Sequence, residues 1–202
     1  MSVLERPPVA TRRRQQGTAA VELAFIMIPF LLFIFGVMEL ARAMYVINTL
    51  QEVTRRAAVG AANSDFHEPA LTLVRQRAIF RNSAGSLLLA PPVTDQHVRI
   101  DYLALIRNPD GSTTPKVIPT ASLPETPAKN LATCTADANA PTCIRLVRAR
   151  ICDPVNSSGC DAVTAESVFP LVKLPLPMPL STTIVPAQSL GYTTPACLPC
   201  GV

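Results

Sequence analysis

The chain has 202 residues and a formal net charge of +4, from 18 lysines and arginines against 14 aspartates and glutamates. Residues 1–17 hold four arginines and one glutamate, so subtracting their +3 leaves +1 for residues 18–202. This small excess excludes the concentrated basic surface of a nucleic-acid-binding protein, and we expect no nucleic-acid partner.

The first predicted element is a membrane-spanning helix over residues 18–38. Residues 12–14 are all arginine, and residues 23–38 are sixteen uncharged, mostly large apolar residues. At about 1.5 Å per residue, 18–38 gives a helix roughly 31 Å long, which matches the hydrocarbon core of a bilayer. A secretory signal has a shorter apolar core of about 7–15 residues, followed by a small-residue cleavage site. The arginines predict a cytoplasmic N-terminus and an exported C-terminal part.

The helix is predicted to continue in water over residues 39–62, as one helix of roughly 45 residues. Pro29 lies inside the helix and removes one backbone hydrogen bond, so we expect a kink near Phe25. Glu39 and Arg42 are three residues apart and are predicted to form an interfacial ion pair. The polar residues Arg42, Gln51 and Arg56 lie off the predicted apolar face, which comprises Leu40, Met44, Ile47, Thr54, Ala57 and Ala61.

The N-terminal residues resemble those of a known family. A short basic leader ends in Gly17, Glu22 stands at the fifth position after it, Pro29 lies in the span, and residues 36–42 read GVMELAR. Over about 45 residues this pattern resembles the TadE-like minor pilins, or pseudopilins, of Tad (tight adherence) pili, a branch of the type IV prepilins. Leu23 replaces the tyrosine of the major Tad pilins, which argues against the major subunit.

The resemblance implies processing and assembly. It implies that a prepilin peptidase cuts between Gly17 and Thr18 and releases residues 1–17 as a cytoplasmic leader. The new α-amino group of Thr18 can then pair with Glu22 of a neighbouring subunit, which compensates a buried charge. The implied partners are other pilin subunits, the peptidase, the inner-membrane assembly platform and the lipid bilayer. In the alternative interpretation the chain is an unprocessed single-pass anchor for an adhesive or scaffold domain, and Glu22 only snorkels to the interface.

Six cysteines follow the span and none precede it, as expected of a domain that folds in an oxidising compartment. Six cysteines allow fifteen pairings, and we favour local closure of Cys134 with Cys143 and of Cys152 with Cys160, because each pair brackets a turn-rich segment. Cys197 and Cys200 form the chain's one Cys-x-x-Cys, which is too few for a four-cysteine zinc site. A periplasmic thiol oxidoreductase using this terminal pair is the weakest alternative, since prolines flank both cysteines.

Residues 63–202 are predicted to form a small α+β domain. A helix is expected over residues 70–83, with Leu71, Val74, Ala78 and Ile79 on one side and Gly85 after its end. From residue 98 to 106 the apolar period becomes two, which indicates a strand. A turn at residues 108–111 then predicts that residues 116–118 pair back on that strand.

Three further strands are predicted after a loop over residues 119–130. The first covers residues 143–152 with Val147, Ala149 and Ile151 inward. The second covers residues 166–174, an extended proline-rich spacer follows at 174–180, and the last strand, at 181–192, is an edge because of Pro186. The expected fold class is therefore α+β, a pilin-like antiparallel sheet of about four strands packed on the long helix. The small residues Ala57, Ala58, Ala61 and Ala62 would allow close approach.

No catalytic pattern is recognisable. His67 and His97 are the only histidines, and neither accompanies a nucleophile motif or a phosphate-binding loop. We expect no enzyme activity, no cofactor and no metal. The predicted function is that of a minor pilin in the bacterial inner membrane, with its C-terminal domain in the periplasm or carried into a pilus.

Overall fold

The computed structural model describes residues 16–88, 90–155, 159–165 and 176–193. The chain divides into two compact units, Met1–Arg42 and Ala43–Val202. The first helix, α1, runs over Gln16–Asn63 and contributes to both units. We refer to Ala43–Val202 as the head.

Helix α1 has 48 residues and is unbroken, so the predicted single long helix is confirmed. Pro29 lies inside it, and the helix continues on both sides of the proline. The kink near Phe25 stays a prediction.

The buried face of α1 differs in part from the predicted one. Thr54, Ala57 and Ala61 are buried as predicted, but Met44 and Ile47 are 61% and 39% exposed. The predicted face was wrong in its first part: burial begins at Val46, and Ile47, the next residue, lies about 100° around the helix from Val46 and outside the buried face. The buried residues follow the three- and four-residue spacing of one helical face: Val46, Leu50, Val53, Thr54, Ala57, Ala58, Ala61 and Ala62.

The second helix, α2, covers Ala70–Ala78 and is shorter than predicted. Its apolar side is buried as expected, but Gly85 does not end it. The helix ends because the Arg81 amide donates to the Gln76 carbonyl (3.0 Å) and the Phe80 amide donates to the Arg77 carbonyl (3.1 Å). This pair of bonds is a Schellman motif, which needs a residue with positive φ at the position of Phe80. Phe80 has a φ of 61°.

The main sheet contains four antiparallel strands: β1 (Val98–Arg107), β2 (Thr113–Val117), β3 (Leu146–Ile151) and β6 (Thr182–Pro186). Their order is β2-β1-β3-β6, which confirms the four-stranded sheet and puts β6 at an edge. Gly111, with a φ of 85°, closes the predicted turn between β1 and β2. Between β3 and β6, the short strands β4 (Thr164–Ala165) and β5 (Leu176–Pro177) form a separate pair.

The third helix, α3 (Pro127–Ala136), corrects the predicted loop over residues 119–130. The Thr126 hydroxyl accepts a hydrogen bond from the Lys129 amide (3.2 Å), and Pro127 occupies the first turn. Threonine as N-cap followed by proline is a regular helix-start signal, which the high proline and threonine content of this segment obscured.

The last part of the head returns to the C-terminal end of α1. Strand β6 ends at Pro186, earlier than predicted, and the amides of Gln188 and Leu190 donate to the Ala62 carbonyl (3.2 and 3.0 Å). Gly191 has a φ of 78°, and a Cβ there would lie 2.6 Å from the Asp65 amide nitrogen, so only glycine fits. The predicted strand over 166–174 lies outside the described residues, as does the first part of the predicted spacer.

The core of the head lies between α1 and the inner face of the sheet. The four alanines predicted to allow close approach are at most 1% exposed. Val98, Tyr102 and Ala104 of β1 and Val147, Ala149 and Ile151 of β3 are buried on the same side as α1. A long helix on a small antiparallel sheet confirms the α+β class.

Candidate functional site

The candidate site is the N-terminal half of α1. From Gly17 to Met38 every described side chain is exposed except Ile34, which is half-buried. The most apolar 18-residue window has a mean hydropathy of 2.5, and none of it is buried. Soluble monomers rarely expose apolar surface on this scale, and the core helix of a soluble protein would be buried. Among the described residues, α1 is the one helix long and apolar enough to cross a membrane.

The predicted processing site lies in the first turn of this helix. Gly17 is exposed, and a Cβ placed on it would meet no atom within 4 Å. Thr18 and Glu22 are also exposed. Because they are four residues apart on one helix, they lie near the same face and about 6 Å apart along the axis.

Glu22 is the only acidic residue between Gly17 and Met38. In the described part of the chain, the first basic residue after it is Arg42, twenty positions later. Twenty residues correspond to about 30 Å of helix, so no cation of the same described segment is near Glu22. Arg12, Arg13 and Arg14, eight to ten positions before Glu22, lie outside the described residues.

The end of the apolar segment carries the ion pair expected from the sequence. Arg42 Nη1 lies 3.1 Å from Glu39 Oε1, with the two side chains 16% and 32% exposed. Nearly three turns beyond Arg42, Glu52 binds both Arg55 and Arg56 (2.8 Å each). These hydrogen bonds lower the pKa of Glu52 from 4.5 to about 2. The exposed pairs of Glu52 contribute little stability but give α1 a polar surface outside the apolar segment.

The head contains the two disulfides favoured by the sequence. Cys134 is bonded to Cys143, with Cα atoms 5.0 Å apart, and Cys152 to Cys160, at 4.7 Å. The first connects α3 to the segment before β3, and the second closes the turn after β3. Cys197 and Cys200 lie outside the described residues. No cluster of metal-ligating side chains occurs among the residues that the structure describes.

The two histidines have local structural roles. His67 Nδ1 lies 2.8 Å from Asp65 Oδ1 in the segment between α1 and α2. His97 Nδ1 accepts from the Thr94 amide (3.0 Å), and burial lowers the pKa of His97. The Thr94 hydroxyl also lies 2.9 Å from His97 Nδ1. Both histidine contacts fix short loops.

One charged cluster was not predicted from the sequence. Asp101 of β1 is 7% exposed and accepts from Arg148 (2.9 Å) and Arg150 (2.7 Å) of β3, and Arg99 lies 3.4 Å away. All four side chains lie on the sheet face opposite to α1, because they alternate with the inward residues. The register of β1 on β3 places Asp101 opposite Arg148. This register cannot be inferred from the sequence of either strand alone, so the cluster could not be predicted.

Comparison with known proteins identifies the candidate segment. Residues 17–59 match the family model of the TadE-like proteins. The resemblance drawn from the motif is therefore confirmed over this segment. Searches of curated proteins and of solved structures returned no significant match. The match ends within α1, so the strands and the disulfides lie beyond it.

Proposed function

We propose that the protein is a minor pilin of a Tad-type pilus, a non-catalytic subunit that residues 18–38 hold in the bacterial inner membrane before assembly. The observation that carries this proposal is the exposed apolar half of α1, on a TadE-like segment, with Glu22 in its second turn. A helix of this kind needs lipid or other apolar helices around it. The membrane supplies lipid before assembly, and the filament supplies neighbouring apolar helices afterwards.

Processing would create a cation that can pair with Glu22. Hydrolysis of the Gly17–Thr18 bond by a prepilin peptidase adds water across the peptide and leaves an ammonium group on Thr18. The unencumbered surroundings of Gly17 support access by a peptidase. In a bundle of such helices, the ammonium of one subunit can pair with the Glu22 carboxylate of the next. The pair would fix the axial register of neighbouring subunits.

Two independent features support the orientation of the chain. The arginines at positions 12–14 favour a cytoplasmic N-terminus. The two disulfides favour an oxidising compartment for the head, and the periplasm is such a compartment. Both features give the same topology, with the leader inside and the head outside.

Intact-mass spectrometry of the membrane-extracted protein tests processing. We expect a mature chain that begins at Thr18 in cells that contain the peptidase, and the full-length chain in cells that lack it. A protein that keeps Met1 or its leader in both strains would instead support an unprocessed membrane anchor.

Substitution of Glu22 tests assembly. We expect Glu22→Gln to reduce the number of pili strongly, because the amide keeps the size of the side chain but carries no charge for the Thr18 ammonium. Glu39→Gln is the matched control at the other end of the span, where only a partly buried pair within the same helix is lost, and it should assemble normally. Normal pilus number and length in Glu22→Ala would refute the pairing role of Glu22.

A further inference from the structure

The head has a groove that runs along α1 on the side of α2. Its first part has a volume of about 600 Å³ and is lined by α1 from Tyr45 to Glu52 and by the segment after α2. Its second part, of about 330 Å³, is lined mainly by α1 from Arg55 to Gly60 and by α2. The two parts meet where the Arg56 guanidinium lies 4.3 Å from the centre of the Phe80 ring. We call them together the α1–α2 groove, and every residue that lines it belongs to the head.

The first part of the groove is mostly apolar. Ile79 and Leu87 are buried in its floor, and Phe80 and Leu88 beside them are 51% and 73% exposed. Phe80 has a φ of 61°, where the Schellman motif usually places glycine, so this residue is strained. A half-exposed ring adds little core packing that would offset the strain. Strain kept at an exposed aromatic residue indicates that the ring contacts another molecule.

The groove concentrates the positive charge of the head. Residues 43–202 contain 13 lysines and arginines against 11 aspartates and glutamates, a net charge of +2. The described residues that line the groove include one carboxylate, that of Glu52, against four arginines, a net charge of +3. These arginines are Arg55, Arg56, Arg77 and Arg81. The groove therefore carries more net positive charge than the whole head, which favours an anionic partner.

Arg77 and Arg81 are the two arginines that Glu52 does not bind. Among the described residues, neither of them forms an ion pair. Arg81 Nη1 donates to the Ser86 carbonyl (3.2 Å), which holds this guanidinium beside the groove. A Cβ on Gly85 would lie 2.7 Å from Arg81 Nε, so a side chain at Gly85 would displace the guanidinium. Two cations are thus placed at the groove with no carboxylate paired to them in the described chain.

We propose that the α1–α2 groove binds an acidic segment of another pilus subunit. Apolar side chains of that segment enter the first part of the groove, and its carboxylates pair with Arg77 and Arg81. This inference rests on the proposed function, because the partner belongs to the same pilus. From Tyr45 to Gly60, α1 rises by about 22 Å, a length that about 15 helical or about seven extended residues would span.

The composition of the groove fits a protein partner. Tyrosine, phenylalanine and arginine are enriched in protein interfaces, and arginine can pair with a carboxylate through two parallel hydrogen bonds. An anionic polysaccharide would pair with the arginines but leave Phe80 and Leu88 in contact with water. An acidic protein segment with apolar side chains covers both the cations and the apolar surface.

Site-specific photo-crosslinking in cells that form pili tests this inference. In the full chain, Leu88 is replaced by p-benzoylphenylalanine, which crosslinks to a neighbouring C–H bond on irradiation. Leu131 carries the same replacement in the control, because it is 53% exposed and lines a different groove with Leu190. Mass spectrometry of the crosslinked product identifies the segment in contact. We expect an acidic segment of another pilus subunit at Leu88 and not at Leu131.

Charge reversal tests the role of the arginines. Arg77→Glu combined with Arg81→Glu should reduce the Leu88 crosslink about fivefold or more, because repulsion replaces two charge pairs. Arg107→Glu combined with Lys116→Glu is the matched control, since it changes the net charge equally at two exposed positions of β1 and β2. This control should leave the crosslink unchanged. Should the double reversal fold poorly, Arg77→Glu alone replaces it and should reduce the crosslink about twofold or more.

The outcomes separate this inference from the proposed function. If sheared pili contain the subunit and Leu88 gives no crosslink, the groove proposal is wrong and the proposed function stands. A crosslink to a lipid, a polysaccharide or a segment without acidic residues has the same meaning. A crosslink that the reversal of Arg77 and Arg81 leaves unchanged also overturns the groove proposal. If sheared pili lack the subunit, the proposed function fails, and the groove proposal fails with it.

Discussion

The two halves of α1 have the same secondary structure and opposite surroundings. From Gly17 to Met38 the helix exposes almost every apolar side chain, whereas from Val46 to Ala62 it buries one face completely. The first half uses large residues all around its circumference, and the second half concentrates small residues where the sheet approaches. A helix that is apolar on all sides requires an apolar environment, and an amphipathic one requires a single partner.

The largest expected effect comes from truncating a leucine in the buried half of α1. The same change in the exposed half is the control. Leu50→Ala should destabilise the head by about 2–5 kcal/mol, because Leu50 is 0% exposed in the core and its loss leaves a cavity. Leu31→Ala, the same change at a 42% exposed position, should leave the head unchanged. Hydrogen exchange of the β1 and β3 amides in detergent measures the difference. Equal effects of the two variants would mean that the two halves of α1 are not energetically distinct.

A smaller effect is expected from a buried hydroxyl on α1. Thr54 Oγ1 lies 2.9 Å from Ser181 Oγ and 3.0 Å from Thr183 Oγ1, so it connects α1 to the edge strand. Thr54→Val keeps the shape but leaves buried polar atoms without this partner, at a cost of about 1–2 kcal/mol.

The control is Thr49→Val, because the Thr49 hydroxyl only donates to the Tyr45 carbonyl of its own helix (2.7 Å). Denaturant unfolding followed by circular dichroism should place Thr49→Val within about 0.5 kcal/mol of the wild type. If Thr54→Val were as stable as the wild type, the hydrogen bonds of Thr54 would not help to hold β6 against α1.

The smallest effect is pH-dependent and concerns the exposed side of α1 in the head. Arg55 and Arg56 lower the pKa of Glu52 from 4.5 to about 2, so their pairs with Glu52 contribute fully above pH 4.5. This contribution should be lost as the pH falls from 4.5 to about 2, when the carboxylate becomes protonated. Melting temperatures of the wild type and Glu52→Gln should differ slightly at pH 6 and converge at pH 2. Parallel curves throughout would show that Glu52 contributes nothing measurable.

Sequence reasoning succeeded where the signal was local. The long helix, the β1–β2 turn at Gly111 and the pairing of Cys134 with Cys143 all depend on residues close together in the chain. Sequence reasoning failed at the ends of helices and at the buried face of α1. The end of α2 was misplaced because a Schellman motif with phenylalanine at the positive-φ position has no ordinary sequence signature. Helix α3 was missed because proline and threonine suggest loops as well as helix starts.

The sequence by itself determined the candidate membrane segment and the candidate assembly residues, since length, hydropathy and the spacing from Gly17 to Glu22 are properties of the chain alone. The tertiary structure decided which face of α1 is buried, how Asp101 meets Arg148 and Arg150, and how Thr54 meets Ser181. These features bring together residues that are tens of positions apart in the chain, up to 127 for Thr54 and Ser181. The physical reason is that burial depends on what packs opposite a residue, and only the folded chain specifies that neighbour.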